Sequence, residues 1–265
     1  MDPTEEKINE IPLVKAYNEL HAKADALPLL SEENRAQYKQ EMEEIVALMR
    51  KHERKDGVWD FSRERERDVF TQDDTLILRP LTVLDGDFYV DIRMQYSAYY
   101  RAEISTGSHR KESLYVWAIF MLRQFYCVIE KAEDRTPIGF IGIKDSTKDV
   151  WEIAIELDQH YVGQGYGPHS VKLFLNEISR ITGKTDFQAK VDADNVPSQK
   201  CFQKLGKLVG ICPAGFPMTP EKEERVIRLF HDSIDDHIRE LAASLGVEPE
   251  QLLVKVLDYR MKCPL

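Results

Sequence analysis

Three glycines at alternate positions are the residues of this chain whose type and spacing best fit a chemical task. Gly163, Gly165 and Gly167 follow a segment of alternating apolar and polar residues and precede a long helical pattern. Glycine tolerates positive φ and lets another group approach the main chain closely. The first N–H groups of a helix lack internal acceptors and carry the positive end of its dipole. The spacing therefore predicts a loop that binds phosphate or pyrophosphate.

A glycine triplet also fits a strand-to-helix turn that binds no ligand. The residues on either side of the triplet are therefore needed to distinguish a phosphate loop from such a turn. Trp151–Leu157 alternates like a half-buried strand, and apolar residues after the loop recur at helical spacing as far as Gly183, which ends the helix. A dinucleotide-binding GxGxxG motif would need glycine where this chain has Pro168. A Walker loop would need a Lys-Ser/Thr pair that this stretch lacks. Those two phosphate-binding classes are excluded.

The loop resembles the coenzyme A loop of the GCN5-related N-acetyltransferases, the GNAT family, which reads Q/R-x-x-G-x-G/A. Val162–Gly167 matches its glycines, with Val162 where the family has Arg or Gln. Downstream, Val191–Gly206 is similar to the family's fifth strand and the helix after it. The resemblance covers about residues 74–212. Its opening, Leu76–Leu81, is similar to the first strand of the branch that acetylates ribosomal-protein N-termini and related amines.

The resemblance implies an acyltransferase that moves an acetyl group from acetyl-coenzyme A (acetyl-CoA), its cosubstrate, to an amine by direct transfer in a ternary complex. The acceptor would be a primary amine of a small molecule, a protein N-terminus or a lysine. The family's fourth and fifth strands splay apart, so that pantetheine amides can pair with exposed main chain. The cofactor contacts implied for this chain are Ile155, Leu157, Val162, Gly163, Gln164, Gly165, Tyr166, Gly167, Asn195 and Ser198.

Amine attack on a thioester needs a neutral nitrogen, although free alkyl amines have a pKa near ~10. Glu152 and Glu156 share one face of the predicted strand and could accept the proton. Glu152 is the first candidate, because Trp151-Glu152-Ile153 is similar to the family's Ala-Glu-Ile, and Glu156 is the second. Both also fit ordinary solvated strand glutamates. The family's Tyr that protonates the leaving thiolate corresponds to Phe202, so the general acid stays unassigned.

Cys201 and a stripe of three tyrosines could be given functional roles, but a structural role explains each of them. Cys201 could suggest a covalent acyl-enzyme, but it falls on the apolar stripe of its helix with no His or carboxylate spaced to activate it. Tyr96, Tyr99 and Tyr100 lie where the family's first helices shape the acceptor pocket, although such an aromatic stripe usually packs. We therefore predict core positions for Cys201 and for this stripe.

The order of the predicted elements indicates an α+β fold, with a mixed, mostly antiparallel sheet of six to seven strands flanked by helices. A content of 43% hydrophobic residues in 265 is ample for a buried core. The predicted strands are Thr75–Leu81, Gln124–Lys131, Pro137–Lys144, Trp151–Asp158, Asp186–Val191, Leu208–Cys212 and Leu253–Arg260. The last segment also fits a helix through Leu252, Val256 and Tyr259, because short apolar runs are ambiguous. The predicted helices are two between about Leu84 and Leu122, one after the glycine loop, one over Pro197–Leu205 and one marked by Ile227, Phe230, Ile234, Ile238, Leu241 and Leu245.

The chain is predicted to have an added N-terminal hairpin. Residues 1–70 carry two helical stripes separated by Pro28 and Ser31, which predicts an antiparallel helical hairpin. The hairpin could be a brace, a lid or a dimer surface, so a homodimer stays open. Residues 71–265 are then the acetyltransferase domain, with a helical insertion at 213–250. The stripes are Val14, Tyr17, His21, Ala24 and Leu27, then Tyr38, Met42, Ile45 and Met49.

Charge and composition limit the partners. A net charge of -10 disfavours nucleic acid, because a chain of this sign repels phosphates at long range. No run approaches the ~20 apolar residues of a membrane span, and the first residues do not form a signal sequence, so we predict a cytoplasmic protein without a membrane partner. Four widely separated cysteines predict reduced thiols and no metal site.

Two other functions stay open on the sequence. A regulatory module that binds coenzyme A without catalysis would keep the glycine loop and Asn195 but lack a proton donor, as Phe202 suggests. A toxin that acetylates charged tRNA would share the fold, but it should carry a basic groove, and the negative charge disfavours that.

Overall fold

The computed structural model describes residues 22–23, 26, 31–52, 59–96, 124–213 and 219–265. These residues form two compact units, which divide within the fifth strand. The first unit holds the described residues up to 148 together with 155–161, and the second holds 149–154 and the described residues from 162 onward.

The first unit is built on four antiparallel strands in the order β1-β2-β3-β4. The β3 strand is buried at six of its seven residues, and β4 is buried over six consecutive residues. Continuous burial of this kind is typical of strands covered on both faces. The described elements are helix α1 (Arg35–His52), helix α2 (Ser62–Arg65), strand β1 (Thr71–Gln72), strand β2 (Leu76–Pro80), helix α3 (Gly86–Tyr96), strand β3 (Phe125–Lys131) and strand β4 (Pro137–Asp145).

Helix α1 is the second helix of the predicted hairpin. Tyr38, Met42 and Ile45 of its apolar stripe are at most 3% exposed, so these three residues pack as predicted, while the side chain of Met49 lies outside the described residues. Ser31 precedes the helix, and its Oγ accepts a hydrogen bond from the Asn34 amide at 3.3 Å. The stripe predicted for the first helix lies outside the described residues, as do Tyr99 and Tyr100.

The second unit contains the start of strand β5 (Trp151–Leu157), and its strands follow the order β5-β6-β8-β7. The β5–β6 pair is parallel and the other two pairs are antiparallel. Its further elements are helix α4 (Tyr166–Thr182), strand β6 (Asp186–Val191), helix α5 (Val196–Gln203), strand β7 (Lys207–Pro213), helix α6 (Pro220–Phe230), helix α7 (Asp236–Leu245) and strand β8 (Lys255–Lys262).

The predicted α+β class with a mostly antiparallel sheet and flanking helices is confirmed. The residues that the structure describes form eight strands of the sheet, where six to seven were predicted. The additional strand, β1, has two residues and is too short to show a period. The single helix predicted from Ile227 to Leu245 is wrong, because α6 and α7 are separate. Ile234 is extended, and the side chain of Asp235 caps α7 by accepting from the Ile238 amide at 2.9 Å. No described helix is long and apolar enough to cross a membrane.

A buried ion cluster ties β2 to β3 in the first unit. The guanidinium of Arg79 donates to both oxygens of Asp85, at 2.6 and 2.9 Å, and to Glu130 at 2.5 Å. Both carboxylates are buried, at 7% and 5% exposure. Burying a carboxylate is costly unless it is paired, so the ion pairs with Arg79 offset the cost of burying Asp85 and Glu130.

Replacing Arg79 by methionine should therefore lower the free energy of unfolding by about 3–5 kcal/mol, since it leaves two buried carboxylates without this partner. Urea unfolding followed by circular dichroism measures the change. Arg180→Met is the control, because Arg180 pairs with Glu177 at 2.7 Å but is 65% exposed, and no measurable loss is expected. Equal unfolding curves for the two variants would contradict this role of Arg79.

Candidate functional site

The glycine loop lies in the second unit and has the backbone that its sequence predicts. Gly163 and Gly165 have φ of 84° and 92°, in the left-handed region that other residues rarely adopt. Among the described residues, no atom beyond the flanking ones lies within 4 Å of the place where a Cβ would stand at either glycine. The space beside the loop is therefore open to a group that approaches the main chain.

Helix α4 begins directly after this loop. Gly165 is its N-cap and contributes no capping side chain. The hydrogen-bonded ladder of the helix starts where His169 donates to the Gly165 carbonyl at 3.3 Å. The amides of the first turn precede this ladder and lie at the positive end of the helix dipole, as phosphate binding requires. The loop and helix start thus fit a pyrophosphate group.

The β5 and β6 strands pair over only two positions. Trp151 lies opposite Phe187 and Glu152 opposite Gln188, and no later β5–β6 pair is present among the described residues. On its other side, β6 pairs with β8 over six residues. The parallel pairing within the second unit therefore covers only the first two residues of β5.

Glu156 is held in the first unit by helix α3. Its Oε1 accepts a hydrogen bond from Nη1 of Arg93 at 2.7 Å, and both side chains are about a third exposed. Burial raises the pKa of the Glu156 carboxyl above its ordinary value, although Arg93 and then Lys144 oppose the shift. A carboxylate that is partly accessible and more basic than usual is suited to accept a proton near neutral pH.

The end of α3 also contacts the main chain after Glu156. Tyr96 donates its hydroxyl to the Leu157 carbonyl, and Gln95 donates to Asp158 at 2.9 Å. Burial, followed by the charges of Asp158 and Glu156, raises the pKa of Tyr96 to about 12, so this phenol keeps its proton. Tyr96 is 53% exposed and does not pack as a core aromatic, so the predicted core position for it is wrong.

Glu152 is in a different environment, in the second unit. It is 4% exposed, and its Oε2 lies 3.2 Å from Nζ of Lys190 on β6. Asp258 and Arg260 on β8 form a further ion pair at 2.7 Å. The alternative that Glu152 is an ordinary solvated glutamate is wrong, because the side chain is buried and paired.

Asn195 and Ser198 lie together at the start of helix α5, in the second unit. The Asn195 side-chain oxygen accepts from the Ser198 amide at 3.1 Å, so Asn195 is the N-cap of the helix. Phe202, in the same helix, is 4% exposed, and its ring centre lies 6.0 Å from that of Tyr259. A packed phenylalanine at this position confirms that the helix supplies no hydroxyl there.

Two partners of the candidate glutamates were missed on the sequence. Arg93 and Lys190 lie 63 and 38 residues from the glutamates that they pair with, so no short-range spacing reveals them. The alternating pattern did place both glutamates on one strand, but it did not indicate that they differ in burial.

Residues 75–207, just over half of the chain, match the family described as the acetyltransferase (GNAT) domain. The chain therefore belongs to the GNAT acetyltransferases. It is an acyltransferase enzyme, and its acyl donor is acetyl-CoA, the cosubstrate of that family. No protein of curated function matches the chain in sequence.

Several solved structures are similar to this chain at low identity. RimL, a ribosomal L7/L12 alpha-N-protein acetyltransferase in complex with coenzyme A, is 14% identical with a TM-score of 0.48, over 72% of this chain and 96% of that one. A GNAT-family acetyltransferase from Bacillus anthracis is 14% identical, with a TM-score of 0.47 and coverage of 72% and 97%. The ribosomal-protein-S5-alanine acetyltransferase of Vibrio fischeri is 12% identical, with a TM-score of 0.44 and coverage of 72% and 94%. The acceptor of this chain has to be inferred from its own residues.

Proposed function

We propose that the enzyme transfers an acetyl group from acetyl-CoA to a primary amine, directly and within a ternary complex. The observation that carries this proposal is Glu156, a partly accessible carboxylate whose pKa is raised by burial and whose position is set by Arg93. The acceptor is the amine of a small molecule, a protein N-terminus or a lysine.

We assign the binding of acetyl-CoA to the residues that the glycine loop and the family resemblance predicted. Main-chain amides of Val162, Gly163, Gln164, Gly165, Tyr166 and Gly167 would hold the pyrophosphate, supported by the open space at Gly163 and Gly165. The main chain at Ile155 and Leu157 would pair with pantetheine amides. Asn195 would act by ordering the start of α5, since its side-chain oxygen already binds the Ser198 amide. Acetyl-CoA supplies the acyl group as a thioester. A neutral amine can attack its carbonyl carbon without a covalent enzyme intermediate.

We assign the general base to Glu156 and keep Glu152 as the alternative. A base has to reach the proton that it accepts, and its efficiency increases as its pKa approaches the working pH. Glu156 is 27% exposed at its side chain with a raised pKa, whereas the side chain of Glu152 is 5% exposed and paired with Lys190. The protonated amine would give up its proton to Glu156 directly or through one water.

The state of the four cysteines supports direct transfer. Burial raises the pKa of Cys201 and Cys263 to about 11, and it also raises the pKa of Cys127 and Cys212. A thiolate is the nucleophilic form, so none of these thiols is activated near neutral pH. An acyl-cysteine intermediate is thus disfavoured at every cysteine of the chain.

Initial rates measured against both substrates should accordingly give intersecting double-reciprocal lines, as expected for a ternary complex. Cys201 is half-buried and not in the core as predicted, but its thiol has a raised pKa and is not activated. The Cys201→Ala variant should therefore keep kcat within about threefold. Parallel lines, or loss of turnover in Cys201→Ala with unchanged folding, would mean that a covalent intermediate forms.

An acceptor screen tests the proposed function. The chain is incubated with acetyl-CoA and, separately, a polyamine, a peptide with a free N-terminus, and the same peptide blocked at its N-terminus but containing lysine. Released thiol and a product mass increase of one acetyl group measure transfer. Transfer to at least one amine is expected, while the same compounds with every amine blocked are the control. Hydrolysis of acetyl-CoA without an acetylated amine would contradict the proposal.

A further inference from the structure

A cavity of about 600 Å³ in the first unit is lined mainly by arginines. The lining includes two carboxylates, Asp68 and Asp85. This concentrates positive charge in one concave surface of a chain whose net charge is -10. The volume falls in the range of small-molecule pockets. The lining arginines are Arg35, Arg65, Arg67, Arg79 and Arg135.

Asp85, one of the two lining carboxylates, is already engaged by the protein. Both of its oxygens bind Arg79, and Oδ2 also accepts from the amide and the hydroxyl of Thr82, at 2.6 and 2.8 Å. Glu130 binds Arg79 through Oε1, and its Oε2 lies 2.8 Å from Nε of Arg135. Asp85 and Glu130 therefore hold the guanidinium of Arg79 in place at the cavity.

Two of the lining arginines, Arg35 and Arg135, are half exposed at their side chains, at 53% and 51%. Arg35, in the first turn of α1, lies 3.7 Å from Glu32, whose side chain is 91% exposed. Arg135 pairs with Glu130 through Nε. Arg135 also has a φ of 62°, the left-handed conformation that costs an ordinary side chain energy. A turn position of this kind suits glycine, so the arginine is present at the expense of backbone strain.

We propose that this cavity binds a small molecule that carries a diphosphate group. Guanidinium groups bind phosphate oxygens in bidentate pairs, and arginine is the side chain best suited to that geometry. The lining holds five arginines and two aspartates, so guanidinium groups are the main charged donors at the surface of the cavity. A single phosphate would fill only a small part of the volume. The site shares no residue with the glycine loop, and the inference does not depend on acetyl transfer.

Calorimetric titration of the full chain with sodium pyrophosphate tests this site. Every chain titrated carries Gly165→Glu and coenzyme A is left out, so that the glycine loop does not bind the probe; the chain with this substitution alone is the parent of the comparison. The salt is kept low because screening weakens such binding. One-to-one saturable binding is expected. The double variant Arg35→Gln, Arg135→Gly should bind at least tenfold more weakly. Adenosine diphosphate, titrated in the same way, shows whether a nucleoside adds affinity to the diphosphate.

The control variant is Arg228→Gln, which removes the same charge from helix α6, where Arg228 is 77% exposed and pairs with Glu224. It should bind pyrophosphate as the parent does. Circular dichroism checks that the double variant is folded, and Arg35→Gln alone replaces it if it is not. No saturable binding by the parent, or equal affinity in parent and cavity variant, would overturn the proposed site.

Discussion

Replacing Glu156 by glutamine is expected to lower kcat by about 10²–10⁴-fold, with little change in KM for acetyl-CoA. Glutamine keeps the size of the side chain and can still contact Arg93, but it cannot accept the proton of the amine. The effect should therefore fall on the chemical step and not on cofactor binding. Steady-state rates by thiol release, with the best amine from the screen, measure kcat and KM separately.

Glu152→Gln is the matched variant on the same strand. It removes the charge that pairs with Lys190 at 3.2 Å, and because Glu152 is buried the main expected result is a loss of stability. Its kcat should stay within about tenfold of the parent enzyme. If instead Glu152→Gln lowered kcat by about 10²–10⁴-fold and Glu156→Gln did not, the general base would be Glu152 and the assignment would be reversed.

The pH profile gives a second readout of the same assignment. A carboxylate base is active when deprotonated, so kcat/KM should rise with pH through the pKa of Glu156. Burial raises that pKa above its ordinary value, and hence the midpoint of the acid limb should lie above 4.5. Arg93 opposes the shift, so Arg93→Gln should move the limb to still higher pH. An acid limb that is unchanged in Arg93→Gln would contradict the role of this pair.

The glycine loop and the elements around it could be predicted because their causes are local. Positive φ restricts Gly163 and Gly165, and the apolar stripe after them fixes the face of α4 that packs: Val171, Phe174, Leu175 and Ile178 are all buried. The end of α4 was also predicted from a local cause, because Gly183 adopts the left-handed conformation that glycine favours after a helix. These constraints act over a few residues and can be recognised in one sequence.

The environments of the two glutamates depend on contacts that the sequence does not show. Arg93 approaches Glu156 from a different helix, and Lys190 approaches Glu152 from the neighbouring strand. The residues that line the arginine cavity come from α1, α2, β2, the segments that follow α2 and β2, and the β3–β4 turn, so no local spacing in the sequence brings them together. The domain bounds, the cytoplasmic location and a homodimer stay predictions.

Replacing Gly165 by glutamate is expected to weaken coenzyme A binding at least 100-fold. The variant places a negative charge beside the amides that would hold the pyrophosphate, in space that is open at present. Like charges about 4 Å apart near a protein surface repel by about 4 kcal/mol, and tenfold in affinity corresponds to about 1.4 kcal/mol. Calorimetric titration with coenzyme A measures the dissociation constants of parent and variant.

Gly183→Glu separates this effect from backbone strain. Gly165 and Gly183 flank the same helix, have φ of 92° and 73°, and have no described atom within 4 Å of an added Cβ beyond their neighbours. Each substitution should therefore cost about 1–2 kcal/mol in left-handed strain. Only the change at Gly165 should also remove coenzyme A binding, because only that glycine lies at the positive end of the dipole. Equal loss of binding in both variants would mean that strain in α4, and not a phosphate site at its start, explains the result.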